Sequence, residues 1–234
     1  SIAPSIQFSG ANYLNPTLVL QGGNSSWQDD TTYLAMFDII DFDETVDNIT
    51  MSVWTGTDAQ GNLMDSVGLT APFEIDTENP TIVSAISSEA LISQADLASP
   101  QFTVDVTFSE VMDTTLTPIL TFMDQGTPYT SLSQNMLQTI WQDEFTVQAE
   151  FFIFTNTNDL IPLDLEVANI TDDKSNLLAD SLATTVLWSD MKSPEVVSRV
   201  ANKPIISDSV VGAMEYYVDI SFSEAMDTTV VPFV

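Results

Sequence analysis

Apolar and polar residues alternate with a period of two along most of this chain, and the 3.6-residue period of an amphipathic helix is nearly absent. Phe102, Val104, Val106 and Phe108 share one face, with Thr103, Asp105 and Thr107 between them, which predicts a half-buried strand stopping at Ser109. The same alternation predicts strands over 81–86, 102–108, 117–122, 137–142, 145–154, 163–170 and 182–189, separated by clusters of Asp, Asn, Ser, Gly and Pro. Only Ser88 to Gln94 suggests helix, and there a single turn. The reading is an all-β chain.

The pattern also repeats. Shifting the sequence by about 114 positions lays Phe108-Ser109-Glu110-Val111-Met112-Asp113-Thr114-Thr115 on Phe222-Ser223-Glu224-Ala225-Met226-Asp227-Thr228-Thr229. The same shift places Trp27-Gln28-Asp29 on Trp141-Gln142-Asp143, Asp58 and Asn62 on Asp172 and Asn176, and Asp76 and Pro80 on Asp190 and Pro194. About 32 of roughly 120 overlapped positions are identical without a gap, several times what this composition gives by chance, so the chain carries a duplication. In phase, 1–79 match the C-terminal part of a unit, 80–193 make one complete unit, and 194–234 match the N-terminal part of a further one. The expectation is a window on a longer array; the alternative is a subunit whose open sheet edges are completed by its neighbours.

Composition narrows the function classes. With 34 Asp and Glu against 4 Lys and Arg, the formal charge is -30, which excludes a nucleic-acid binder because phosphate recognition needs clustered cations. The 44% hydrophobic content, with 13 Phe, 5 Tyr and 4 Trp, argues against disorder. No Cys and no His are present, which removes disulfides, thiolate nucleophiles and the commonest general base. No apolar run reaches the roughly 20 residues of a membrane helix, so no membrane insertion is expected of this segment. Ser1-Ile2-Ala3-Pro4 lacks the basic-then-apolar pattern of an export signal, which leaves a removed signal or an excerpt. Neighbouring carboxylates such as Asp43-Glu44 and Asp143-Glu144 do not flank a substrate at the separation that glycoside hydrolysis requires, so a non-enzyme is expected.

Seven short strands in about 114 residues is the pattern of an immunoglobulin-like β-sandwich. The Phe-Ser-Glu-x-Met-Asp motif, the Thr57-Asp58-Ala59-Gln60-Gly61-Asn62 loop and the Asp76-Thr77-Glu78-Asn79-Pro80 junction together resemble the tandem immunoglobulin-like repeats of large bacterial cell-surface adhesins. The resemblance spans the whole chain and departs in the second copy, where Ser175 stands for Gly61 and the junction reads Asp190-Met191-Lys192-Ser193-Pro194.

In such a sandwich the loops after the second, fourth and sixth strands gather at the pole where the first strand begins. Glu110 and Asp113, Asp143 and Glu144, and Asp172 and Asp173 occupy those loops in the complete unit, and Asp76 and Glu78 arrive there from the preceding one. Crowded carboxylates with few cations nearby repel unless protonated or neutralised. Calcium, with about 6–8 oxygen ligands in flexible geometry, suits such loops. The resemblance implies calcium at the junctions, and Asp76, Glu110, Asp113 and Asp172 fit that role, with Asp58 in the earlier copy of the loop and Asp190, Glu224 and Asp227 at the second junction. The alternatives are plainer: Asp58 and Asp172 cap tight turns, Glu110 and Asp113 solvate a loop, or Asp113 starts a turn before Thr114-Thr115. Met112 and Met226 are expected to plug the end of the core, Trp27 and Trp141 to cover a sheet, and Pro80 and Pro194 to stiffen the junctions.

These readings lead to an extracellular array at the bacterial cell surface, a stalk whose partners are neighbouring repeats of the same chain or neighbouring subunits. The alternatives are the subunit of a filament, sheath or surface layer, and an accessory module of a secreted enzyme. Asp-Ser/Thr triplets at 30–32, 65–67, 113–115, 180–182, 208–210 and 227–229 resemble a bacterial O-glycosylation signal, which adds glycans to surface receptors as expected partners.

Overall fold

A computed structural model describes residues 2–10, 17–70, 73–208, 211–212 and 216–230. The N-terminal part forms β1 (Ser5–Ser9), β2 (Leu18–Leu20), β3 (Ser26–Trp27), β4 (Tyr33–Leu34), β5 (Phe37–Ile39), β6 (Thr45–Val46), β7 (Thr50–Trp54), β8 (Val67–Thr70) and β9 (Ile75–Asp76). The central part forms β10 (Ile82–Ser87), β11 (Leu91–Ser93), β12 (Gln101–Phe108), β13 (Ile119–Asp124), β14 (Thr127–Pro128), β15 (Leu132–Trp141), β16 (Thr146–Ile153), β17 (Ile161–Ala168) and β18 (Leu182–Asp190). A last hairpin pairs β19 (Val196–Ala201) with β20 (Val218–Phe222). The described residues are all-β apart from short 3-10 turns, among them Gln94–Ala98.

The central part is a sandwich of a four-stranded sheet, in the order β10-β12-β16-β15, and a five-stranded sheet, in the order β11-β18-β17-β13-β14. Alternation drives the layering: Phe102, Val104, Val106 and Phe108 of β12 and Val147, Ala149, Phe151 and Ile153 of β16 all point inward and are buried. They meet Leu120, Phe122, Leu163, Leu165 and Val167 of the other sheet. Phe151 sits at the centre, its ring 4.9 Å from that of Phe122 and 5.5 Å from that of Phe102. The N-terminal part has a smaller core of Phe8, Val46, Ile49 and Ile75.

Pairings seen in the sandwich recur 114 positions earlier and later. Ile119 pairs with Ala168 and Ser5 with Trp54; Leu132 pairs with Ile153 and Leu18 with Ile39. The bulge after Ile82 in the β10–β12 pair returns after Val196 in the β19–β20 pair.

The strands differ from the alternation pattern in three places. The helical turn expected at Ser88 to Gln94 lies later, because Ser93 and Asp96 form a capping box that starts it at Gln94, while Leu91–Ser93 become β11. β15 begins at Leu132 rather than near 137, since a bulge between Asn135 and Thr139 breaks the period of two that the sequence reading relied on. β14 is a two-residue strand with no periodicity to reveal it. With β11 and β14 the central sandwich has nine strands where the alternation predicts seven.

Candidate metal centre at the first junction

Three segments build this site. β9 ends at Asp76, where pairing with β6 sets Thr45 opposite it; the Thr45 hydroxyl lies 3.0 Å from Asp76 Oδ1 and 3.1 Å from Glu78 Oε2. Thr77 N donates to Glu44 O and Asn79 N donates to Asp43 Oδ1, fixing the strand end before the buried Pro80. Glu110 and Asp113 follow β12, and Asp172 follows β17. Backbone bonds join these two loops, from Asp113 N to Thr171 O (3.0 Å) and from Asp173 N to Val111 O (3.1 Å). Met112 N donates to Glu144 O, so the β15–β16 turn joins the same pole. The three loops expected at one pole do meet there.

Asp76, Glu110 and Asp172 each present a carboxylate oxygen, and these atoms all lie within 4.8 Å of one another. Asp172 is 1% exposed. Its Oδ1 accepts from Lys174 N and Asn176 N, and its Oδ2 accepts from Asn176 Nδ2, which also reaches the Asp76 carbonyl at 3.3 Å. Asp172 therefore caps a turn and faces the cluster at once. Glu110 Oε1 is buried with no hydrogen-bond partner. Burial pushes the Glu110 carboxyl up to about 7, with further lifts from the negative charges of Asp172, Asp76, Glu78 and Asp173. Burial also raises the Asp76 carboxyl, Asp172 adding to the rise and the Thr45 hydroxyl opposing it.

The carboxylates open on a cleft of about 420 Å3 whose acidic lining is Asp47, Glu74, Asp76, Glu78, Glu110 and Asp173. Lys174 is the one cation of that lining, and its ammonium is held by Asp173 at 2.8 Å. An excess of partly desolvated negative oxygen atoms with one cation already engaged suits a hard divalent ion, which would take oxygens from Asp76, Glu110 and Asp172.

The remaining candidate residues stand apart from this cluster. Asp113 Oδ1 accepts from Thr115 N and from the Thr115 hydroxyl, and Asp227 Oδ1 does the same with Thr229; these bonds hold both carboxyls below the usual range. Asp58 accepts from Gln60 N, Asn62 N and Asn62 Nδ2, the arrangement of Asp172, but belongs to no cluster of three carboxylates among the described residues, and the bonds to Asn62 lead in lowering its pKa. The turn alternative describes the bonds of Asp113 and Asp58, and Asp227 makes the bonds of Asp113.

At the second junction Asp190 ends β18, and neither it nor Glu224 belongs to a carboxylate cluster among the described residues. Lys192 occupies the position that Glu78 has in the first junction; its ammonium lies 2.9 Å from Asp159 and in the field of Glu195 and Glu224. This junction carries its own cation. Met112 is buried as expected, whereas Met226 is exposed. Trp141 packs on Phe108 and donates to Leu116 O at 2.9 Å, but Trp27 is exposed. The triplet at 208–210 runs outside the described residues.

Sequence reasoning missed Thr45, Glu74 and Asp47, which reach the cleft through the β6–β9 pair. Two-residue strands leave no periodic signal, so nothing in their spacing announces them.

No protein-family profile matches this chain, and no curated protein matches it significantly.

Proposed function

We propose that the chain is a non-enzymatic, extracellular segment of a bacterial cell-surface protein, built from tandem immunoglobulin-like units of about 114 residues and stiffened by calcium at the first junction. The observation that carries this reading is the meeting of Asp76, from the end of one unit, with Glu110 and Asp172, from two loops of the next, around a buried carboxylate oxygen that lacks a partner. The central strand order and the pairings that recur at the repeat period support the tandem units.

The mechanism is mechanical. Without an ion the carboxylates of consecutive units repel and the cleft is held open; a bound divalent cation turns that repulsion into a cross-link and restricts the hinge at Pro80. Among the described residues no helix is long and apolar enough to cross a membrane.

The test pairs calcium calorimetry with solution scattering. Replacing Asp76 by Asn together with Glu110 by Gln spares the turn capped by Asp172 and is expected to abolish the calcium heat. In the unaltered chain, calcium is expected to lengthen and narrow the scattering envelope relative to chelator. Scattering profiles that coincide with and without calcium would sink the reading.

A further inference from the structure

The first junction is built from two pieces, and one side chain spans them. β9 carries Asp76 at the end of the preceding unit, where pairing with β6 sets it opposite Thr45. The loop after β17 carries Asp172 and is closed on itself: Asp172 N donates to Asn176 O at 3.1 Å, and Thr171 and Leu177 form an isolated bridge. Bonds from Asp113 N to Thr171 O and from Asp173 N to Val111 O tie that loop to the one that bears Glu110. Glu110 and Asp172 are thus held in one piece, and Asp76 belongs to the other.

Asn176, half-buried, reaches both pieces. Its amide nitrogen carries two hydrogens. It lies 2.8 Å from Asp172 Oδ2, 3.3 Å from the Asp76 carbonyl oxygen and 3.5 Å from Asp76 Oδ1. The bond to Asp172 belongs to the turn itself. In the earlier copy of the loop Asn62 Nδ2 lies 2.7 Å from Asp58 Oδ2, and Asn62 N, like Asn176 N, donates to the aspartate Oδ1. The second hydrogen of Asn176 is added to that turn and points across the junction, to the carbonyl and carboxylate of Asp76. Thr45 holds the same carboxylate from the side of its own unit, at 3.0 Å. The oxygens of Asp76, Glu110 and Asp172 lie within 4.8 Å of one another, where like charges repel, so something other than the carboxylates must hold them together.

We propose that Asn176 is a positioning residue: its amide clasps Asp76 across the junction and sets the spacing of the three carboxylates before an ion arrives. The inference rests on the calcium reading of this site and adds what holds the site in shape. A donor without charge suits the task. A lysine or arginine in its place would neutralise the carboxylates and compete with the ion, whereas an amide holds two acceptors and leaves their charge intact. The two units are then ordered against each other in advance, so that the ion meets oxygens already gathered and less freedom is lost on binding. Donation through Nδ2 makes Asn176 a support for Asp76 and Asp172 and not itself a ligand.

The experiment uses the whole 234-residue chain, first in chelator, so that the clasp is tested apart from calcium. The protein has no Cys, so Leu69→Cys and Leu137→Cys, both at exposed positions, place one spin label on each side of the junction. Pulsed electron resonance in chelator is expected to give a narrow distance distribution in the labelled parent and a broader one with Asn176→Ala. Asn176→Asp, which keeps the size but turns acceptors toward Asp76 and Asp172, should broaden it at least as much. Saturating calcium should narrow the Asn176→Ala distribution again, because the ion takes over the link, whereas a loop merely damaged by loss of its turn bond would not recover. In calorimetry Asn176→Ala should bind calcium about five- to tenfold more weakly than the parent, the effect of one lost hydrogen bond. Distances in chelator that match the parent for both variants, broadening that calcium does not reverse, or unchanged calcium affinity would each overturn the proposal. A parent that takes up no calcium would overturn the metal reading instead, and its distances in chelator would still decide whether Asn176 clasps the junction.

Discussion

Replacing Glu110 by Gln separates electrostatic repulsion from metal binding, because the two predict opposite signs. In the calcium-free protein the Glu110 carboxyl holds its proton up to about 7 rather than the ordinary 4.5. A group that binds its proton more tightly when folded stabilises the fold fully below the unfolded value, and that contribution is lost as the pH rises from about 4.5 through about 7. At about 1.36 kcal/mol per tenfold change in proton affinity, the upper bound on the loss is about 3 kcal/mol. Water in the open cleft screens the charges and reduces it to on the order of 1–2 kcal/mol. Glutamine keeps the shape and removes the charge. In chelator at pH 8, Glu110→Gln should therefore be more stable than the parent by on the order of 1–2 kcal/mol, and near pH 4 the two should coincide. With saturating calcium the order should reverse, since the variant lacks one anionic ligand. Urea titrations followed by tryptophan fluorescence, at several pH values in chelator or calcium, read both effects as differences between variant and parent. Parallel pH profiles for the two proteins between pH 5 and 7 in chelator would refute the electrostatic reasoning.

Other predictions follow from local geometry. Ser175 holds φ at 81° where its counterpart Gly61 holds 90°, a region that glycine occupies without strain, so Ser175→Gly should stabilise the central sandwich by about 0.5–1 kcal/mol in chemical denaturation. Phe151→Ala should cost about 3–5 kcal/mol, because it empties the centre of the Phe102, Phe122 and Phe151 cluster. A loss below about 1 kcal/mol would mean that the core there closes over the gap.

Strand positions in the central part were readable because Phe102 to Phe108 and Val147 to Ile153 alternate without interruption and each is buried on one face only. Legibility failed where alternation failed: at the Asn135–Thr139 bulge, at β14, and at β11, which looked helical until the Ser93–Asp96 capping box displaced the turn. Of the candidate ligands, Asp76, Glu110 and Asp172 could be brought together on paper because loop placement in a two-sheet sandwich is a matter of strand count. Whether a carboxylate at that pole faces its neighbours or folds back on its own loop is decided by side-chain rotation. Asp113 has Thr115 two residues on to receive it, and Glu110 has no such partner. Thr45 and Asp47 could not be foreseen, since their place depends on pairing between short segments distant in sequence.

The switch of the first edge between layers has a further consequence. β10 joins one sheet, β11 crosses to the other, and β11 runs parallel to β18, with Thr81 beside Asp180 at one end and Ser93 beside Asp190 at the other. Tension applied between Pro80 and Pro194 therefore drags the entering and leaving strands past each other in opposite directions. Their rungs are loaded sideways and together, and do not peel open one after another from an end. A tethered chain pulled by flow would resist extension through that seam before its apolar interior is breached.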